Sequence, residues 1–209
     1  MNGLLPFTAE QFFGIFAAYN EGIWPAQVAA YGAGLAAIVL VLWRPDGRAP
    51  LWVLALMWAW TGIAYHVLYF AAINPAAYLF GALFALEAAA LVLVRAGDSD
   101  VAPRASRLDA VLGLSLCGYS LFVYPLIGQW FGYVYPAAPV FGVTPCPVTI
   151  FTFGLLLLAN GRAPWRVVAI PLAWCVVGGS AAVLLNVVQD WALPVSGIVY
   201  LLNRWPRTI

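Results

Sequence analysis

His66 is the only histidine of this chain, and it lies beside Tyr65 inside the apolar run 51–72. An imidazole titrates near neutrality and is costly in hydrocarbon, so one at this position calls for a partner, a cavity or a proton to carry. Glu87 poses the same question about twelve residues into the run 75–95, with Leu86 and Ala88 to Leu91 as apolar neighbours. A carboxylate in that setting takes a cation, a hydrogen-bond donor or a proton. One reading of both residues is proton coupling or cation binding. The other is a neutral imidazole and a protonated acid, each bonded to a neighbouring helix. At 1.5 Å per residue the two differ in depth by roughly 9 Å, which argues against a direct pair.

Counting the same depth along the other apolar runs reaches Tyr31, Tyr119, Thr149, Thr152, Ser180 and Ser196. If these converge, they form a polar layer around His66. Ser180, within Gly178-Gly179-Ser180-Ala181, could pair with His66 as a serine–histidine dyad of the kind used by rhomboid-type intramembrane proteases. A small-residue patch for helix packing explains the same four residues. One histidine cannot supply the three or four ligands of a zinc site, nor a bis-histidine haem. Copper held by Cys146, Met57 and His66 would need distant runs to meet. The chain has nine arginines and no lysine, which excludes a Schiff base to retinal and a Walker-type phosphate lysine. No cofactor and no metal are expected, and the enzymatic readings are weak.

The elements that must position these residues are membrane helices. The chain is 65% hydrophobic and 8% charged, with a mean hydropathy of +0.93, against about 25% charged residues in soluble domains. A net charge of +1 argues against nucleic acid as a partner. Cys117, Cys146 and Cys175 are an odd set that implies no disulfide framework. Residues Met1 to Gln11 lack the positive charge and apolar core of a signal peptide and read as mature sequence. Thr8-Ala9-Glu10-Gln11 has capping-box spacing, with Phe12, Phe16 and Tyr19 on one stripe behind it. This segment is too short and polar to span. It lies in the interface or packs across the end of the bundle.

Seven spans are expected, at 24–43, 51–72, 75–95, 108–128, 146–160, 166–187 and 191–203. The fifth and seventh are short against the roughly 20 residues of a full crossing. With seven spans, Arg44, Arg48, Arg95, Arg104, Arg107, Arg162, Arg166, Arg204 and Arg207 all fall on one side. The positive-inside rule then puts the N-terminus outside and the C-terminus in the cytoplasm. Gly47-Arg48-Ala49-Pro50 recurs as Gly161-Arg162-Ala163-Pro164, and in that register eight of fourteen positions are identical, Trp60 matching Trp174. Spans one to three thus correspond to five to seven, a parallel repeat with the fourth span as linker. The loop from Gln129 to Cys146 is aromatic, uncharged and rich in proline and glycine. It reads as a functional lid or as an aromatic anchor at the interface.

Several stretches resemble an uncharacterised family of bacterial multi-pass membrane proteins, known only as a domain of unknown function. They are Ile23-Trp24-Pro25-Ala26-Gln27, Tyr65-His66, Ile73-Asn74-Pro75-Ala76-Ala77 and Tyr135-Pro136-Ala137-Ala138-Pro139, running on through Thr144-Pro145-Cys146-Pro147 to Phe153-Gly154. The resemblance implies no activity or ligand. Separately, the three-plus-one-plus-three order with the N-terminus outside looks like the architecture of the SWEET sugar transporters, a likeness of topology alone.

The sequence therefore predicts an all-α membrane protein of the bacterial inner membrane. It divides into an interfacial amphipathic helix (1–22), a first three-helix unit (23–95), a cytoplasmic loop and linker helix (96–128), an outer loop (129–145) and a second three-helix unit (146–209). The function expected is transport of a small polar solute, passive or linked to protons, through a cleft between the units. The alternative is an accessory or sensor subunit of a membrane complex. His66, Glu87, Tyr65, Asn74, Trp24, Gln27, Cys146 and Ser180 are the expected substrate- or ion-binding residues, with the lipid bilayer as the other partner.

Overall fold

The computed structural model describes residues 5–94, 105–159 and 163–204, and among these the chain is helical, with no strand. Helix α1 (Ala9–Gly22) starts on the expected capping box. The Thr8 hydroxyl accepts from the Gln11 N–H at 3.2 Å, and the Gln11 side chain accepts from the Thr8 N–H at 2.8 Å. Helix α2 (Ala26–Trp43) is followed by α3 (Ala49–Trp60), which continues without a break through a π-helical stretch (Thr61–Tyr69) and a short 3₁₀ turn (Phe70–Ala72). Then come α4 (Ala77–Leu93), α5 (Arg107–Gly118), a second π stretch (Tyr119–Val123) and α6 (Tyr124–Trp130) in one rod. Helices α7 (Pro145–Leu158), α8 (Ala169–Leu185) and α9 (Ala192–Arg204) complete the described chain.

These rods coincide with the seven expected helical stretches to within about three residues at each end, as runs of apolar residues bounded by Pro, Gly and Arg lead one to expect. Four of them are long and apolar enough to cross a membrane: Ala26–Trp43, Ala49–Ala72, Arg107–Trp130 and Trp165–Leu185. Helices α4 and α7 are apolar but shorter. Exposed aliphatic side chains such as Val39, Leu56, Leu68, Leu79, Leu86, Val111, Val176 and Ile198 cover the outside. An exterior of this kind is compatible with contact with a lipid bilayer.

Helix α7 is the hub. All of its residues from Pro145 to Leu158 are buried, and it packs on α5 and α9 and also touches α8, α3 and α2. A helix that is hydrophobic all round is buried in protein or in lipid, and α7, the shortest of the expected crossings but one, is enclosed by protein. Its middle is tied to α3 by the Trp58 indole N–H, which donates to Thr152 Oγ1 at 2.9 Å. The π-helical stretch after α3 and helix α4 are closely packed where Gly62 faces Gly81. A Cβ on Gly81 would lie 2.9 Å from the Gly62 carbonyl and 2.6 Å from Val67, so no larger residue fits that crossing.

The described arginines gather at one end of the bundle. Arg44 and Arg48 flank the turn between α2 and α3, and the Arg48 guanidinium donates to the Val92 carbonyl in the last turn of α4. Arg204 donates to the carbonyls of Leu156, Leu157 and Ala159 at the end of α7. Guanidinium groups at helix C-termini satisfy carbonyls that lack intrahelical partners and meet the negative end of the helix dipole. Arg95, Arg104, Arg162 and Arg207 lie outside the described residues.

Helix α1 closes the opposite end. Its Phe12, Phe16 and Tyr19 turn inward, and Glu10, Ala18 and Glu21 remain exposed. The Tyr19 hydroxyl donates to the Val143 carbonyl at 2.7 Å, and the Asn20 amide donates to the carbonyls of Pro136 and Ala138 at 2.7 and 2.8 Å. The long loop between α6 and α7 is thereby bound to α1. Its Gly142 has a φ of +77°, and a Cβ there would also meet Ala30 at 2.7 Å.

Candidate functional site

Beneath α1 lies a chamber of about 230 Å³. Its roof is Leu5, Phe7, Phe12 and Phe16, and its walls come from the π-helical stretch and 3₁₀ turn after α3, the start of α4, the start of α7 and the middle of α8. His66 stands in its wall inside a cage of rings. The ring centroids lie 4.8 Å away for Phe84, 5.1 Å for Tyr65, 5.2 Å for Trp174, 5.7 Å for Phe80 and 6.2 Å for Phe70. Every one of these contacts is edge-on, the arrangement that aromatic quadrupoles favour. The imidazole is 1% exposed, and among the described residues neither of its nitrogens has a hydrogen-bond partner. Buried polar groups are otherwise nearly always paired, because each unpaired one costs about 1–3 kcal/mol.

The local backbone explains how Tyr65 and His66 come to share this wall. Both lie in the π-helical stretch. Its wider i→i+5 turn rotates successive residues through a smaller angle than an α-helix does, so two neighbours can face one side. The close Gly62–Gly81 crossing then brings Phe80 and Phe84 of α4 against the imidazole. Asn74 borders the chamber where α4 begins, and its side-chain oxygen accepts from the Ala76 N–H at 3.1 Å.

A second polar group faces the same space. Asp190, in the connection between α8 and α9, is 5% exposed and lines the chamber with Tyr124 and Cys146. Its carboxylate accepts from the Tyr124 hydroxyl and from the Cys146 thiol. Burial pushes this carboxyl up to about 6, and those two hydrogen bonds pull it the other way. Apart from Asn74 and Ser180, the rest of the lining is aromatic or aliphatic.

The expected site residues therefore separate. Tyr65, His66, Asn74, Cys146 and Ser180 border one chamber. Glu87 does not: it is fully buried on α4, and neither carboxyl oxygen has a hydrogen-bond partner among the described residues. Trp24 is 63% exposed. Gln27 is buried, and its amide donates to the Asn20 carbonyl at 2.7 Å, which braces the turn between α1 and α2. The hydroxyls of Thr149, Thr152 and Ser196 donate to carbonyls of their own helices, and that of Tyr119 donates to the Gln189 carbonyl. They form no polar layer about His66.

No serine–histidine dyad forms either. The Ser180 hydroxyl donates to the Val177 carbonyl at 2.7 Å, and the His66 nitrogens are unpartnered. A Cβ on Gly178 would press on Leu193, Trp174 and Cys146, so this glycine serves close packing of α8. Among the described residues no three His, Cys, Asp or Glu side chains group as a metal site would require. The participants that the sequence did not single out as site residues are Asp190, Tyr124, Trp174 and the α1 aromatics. Signals existed for Asp190, an acid in a connection devoid of basic residues, for the α1 stripe of Phe12 and Phe16, and for Trp174 in the repeated turn register.

Among the described residues the fold is all-helical, with four helices long and apolar enough to cross a membrane and an aromatic-lined chamber at one end. Residues 9–208 match the model of a family of unknown function, DUF6064, and the chain belongs to that family. No curated protein and no solved structure matches it.

Proposed function

We propose that this is a multi-pass protein of the bacterial inner membrane that holds a small molecule in the chamber beneath α1, with His66 as its hydrogen-bonding anchor. Seven crossings go with this reading. By the positive-inside rule the arginine-bearing end faces the cytoplasm, and α1 with the chamber faces outward. The observation that carries the proposal is the pair of imidazole nitrogens, unpartnered among the described residues, in the wall of that chamber. A ligand that bonds His66 recovers the free energy which the empty site forgoes. Such a protein acts as a sensor or as a binding subunit.

Transport of a polar solute between the two three-helix units is the second reading, favoured by Asn74, Ser180, Cys146 and Asp190 around the chamber. For a passage to continue past the chamber, α7 would have to part from α2 and α3, with the Trp58–Thr152 bond broken.

The substitution His66→Phe tests the first reading. Phenylalanine fits the ring cage and removes the unpaired nitrogens, so the ligand-free protein should become more stable by about 1–3 kcal/mol, read as a higher Tm in detergent. Small molecules that raise the Tm of the wild type should no longer do so. A lower Tm for the ligand-free variant would mean that the imidazole belongs to the packing, and the anchor role would be lost.

A further inference from the structure

The shape and chemistry of the chamber narrow what it holds. We infer that its ligand is a flat, uncharged aromatic molecule of one or two rings bearing a ring oxygen, of the phenol or quinone class, and that it enters sideways from the bilayer beside α8. This rests on the reading of the chamber as a binding site.

Four observations support it. The volume of about 230 Å³ exceeds the roughly 150 Å³ of an apolar cavity that accepts benzene, and so suits one or two rings rather than a sugar with its hydration. Phe12, Phe16, Phe70, Phe80 and Trp174 present rings to the space beside His66, with centroids 5.3 Å apart for Phe80 and Trp174. Flat π-systems add offset or edge-on contacts with such walls that saturated rings of equal size do not make. Asn74, Ser180 and the Asp190–Tyr124–Cys146 group already have hydrogen-bond partners within the protein, and His66 has none, which matches one or two oxygens on an otherwise apolar molecule. An imidazole N–H donates to a ring oxygen, and the imidazole's other nitrogen or the Asp190 carboxylate accepts from a hydroxyl.

The route follows from exposure. Among the lining residues only Val177 and Ser180 are exposed, and both are on α8, within a stretch apolar and long enough to cross a membrane. The mouth therefore opens on a face that lipid would cover, where an apolar ring compound is already concentrated.

The test uses the whole protein in lipid nanodiscs, with empty nanodiscs to subtract partitioning. The probes are 1-naphthol and its saturated counterpart decahydro-1-naphthol, which carry the same hydroxyl on carbon frames of similar size. The expected result is saturable naphthol binding, at least tenfold tighter than that of the saturated probe and lost in His66→Phe. Val177→Trp, at the exposed rim and outside the ring cage, should slow association severalfold. Equal affinity for the two probes overturns the aromatic class while leaving the chamber a binding site. Association unchanged by Val177→Trp overturns the lateral entry. No saturable binding of either probe overturns the whole inference. The chamber reading is then judged separately by the stability of ligand-free His66→Phe.

Discussion

Asp190 and Glu87 are both buried carboxyls, and their surroundings separate them. Asp190 has two hydrogen-bond donors and borders a cavity, whereas Glu87 has neither. Burial raises the Asp190 carboxyl from its ordinary 3.8 to about 6, so between those values the folded chain binds a proton that the unfolded chain releases. Stability from this group is therefore greatest below about pH 4, falls as pH rises towards 6 and is flat beyond, by roughly 3 kcal/mol in all. Thermal unfolding of the wild type from pH 4 to 7, measured against Asp190→Asn, should show that loss in the wild type alone. For Glu87 the expectation concerns the oxygens. With no ion pair to break, Glu87→Gln should shift the Tm little, and Glu87→Leu should raise it by removing an unsatisfied polar group. In the transport reading, uptake into proteoliposomes that is unchanged by Glu87→Gln at every external pH removes Glu87 from the mechanism.

At the scale of elements, α1 and the loop between α6 and α7 act as one cover. The sequence marks both by their aromatic residues, but the joint between them rests on Tyr19, donating to the Val143 carbonyl, and on Asn20, donating to two carbonyls more than a hundred residues away. At about 1 kcal/mol of net stability per bond, Asn20→Leu should loosen the cover without unfolding the bundle. Hydrogen exchange read by mass spectrometry should then speed up in α1 and leave α7 unchanged. The two π-helical stretches are elements that no residue pattern announces. One of them presents Tyr65 and His66 to a common space.

At the scale of the whole molecule, the two triplets suggested by the repeated Gly-Arg-Ala-Pro turn are packed differently. In the first, α3 packs on both α2 and α4; in the second, α7, α8 and α9 all pack on one another. The matched tryptophans differ accordingly. Trp60 is 36% exposed and donates to the Tyr19 hydroxyl, whereas Trp174 is buried at the chamber. The proposed sidedness is open to direct measurement, because the three native cysteines are buried and free. In intact cells a membrane-impermeant maleimide should label Glu10→Cys on the exposed face of α1 and spare Ala163→Cys at the arginine-bearing end. The reverse pattern would invert the topology.

The helix positions, the apolar exterior and the grouping of arginines at alternate connections were all legible along the chain, because each depends on residues close together in sequence. Which buried polar residues share a space was not. Helices that are apolar on every side carry little amphipathic signal, so nothing local says which way His66, Glu87 or Ser180 faces. Contacts between distant segments decided that: the Gly62–Gly81 crossing, the enclosure of α7 and the cover formed by α1 turned His66 and Asp190 towards one chamber and sealed Glu87 away from it.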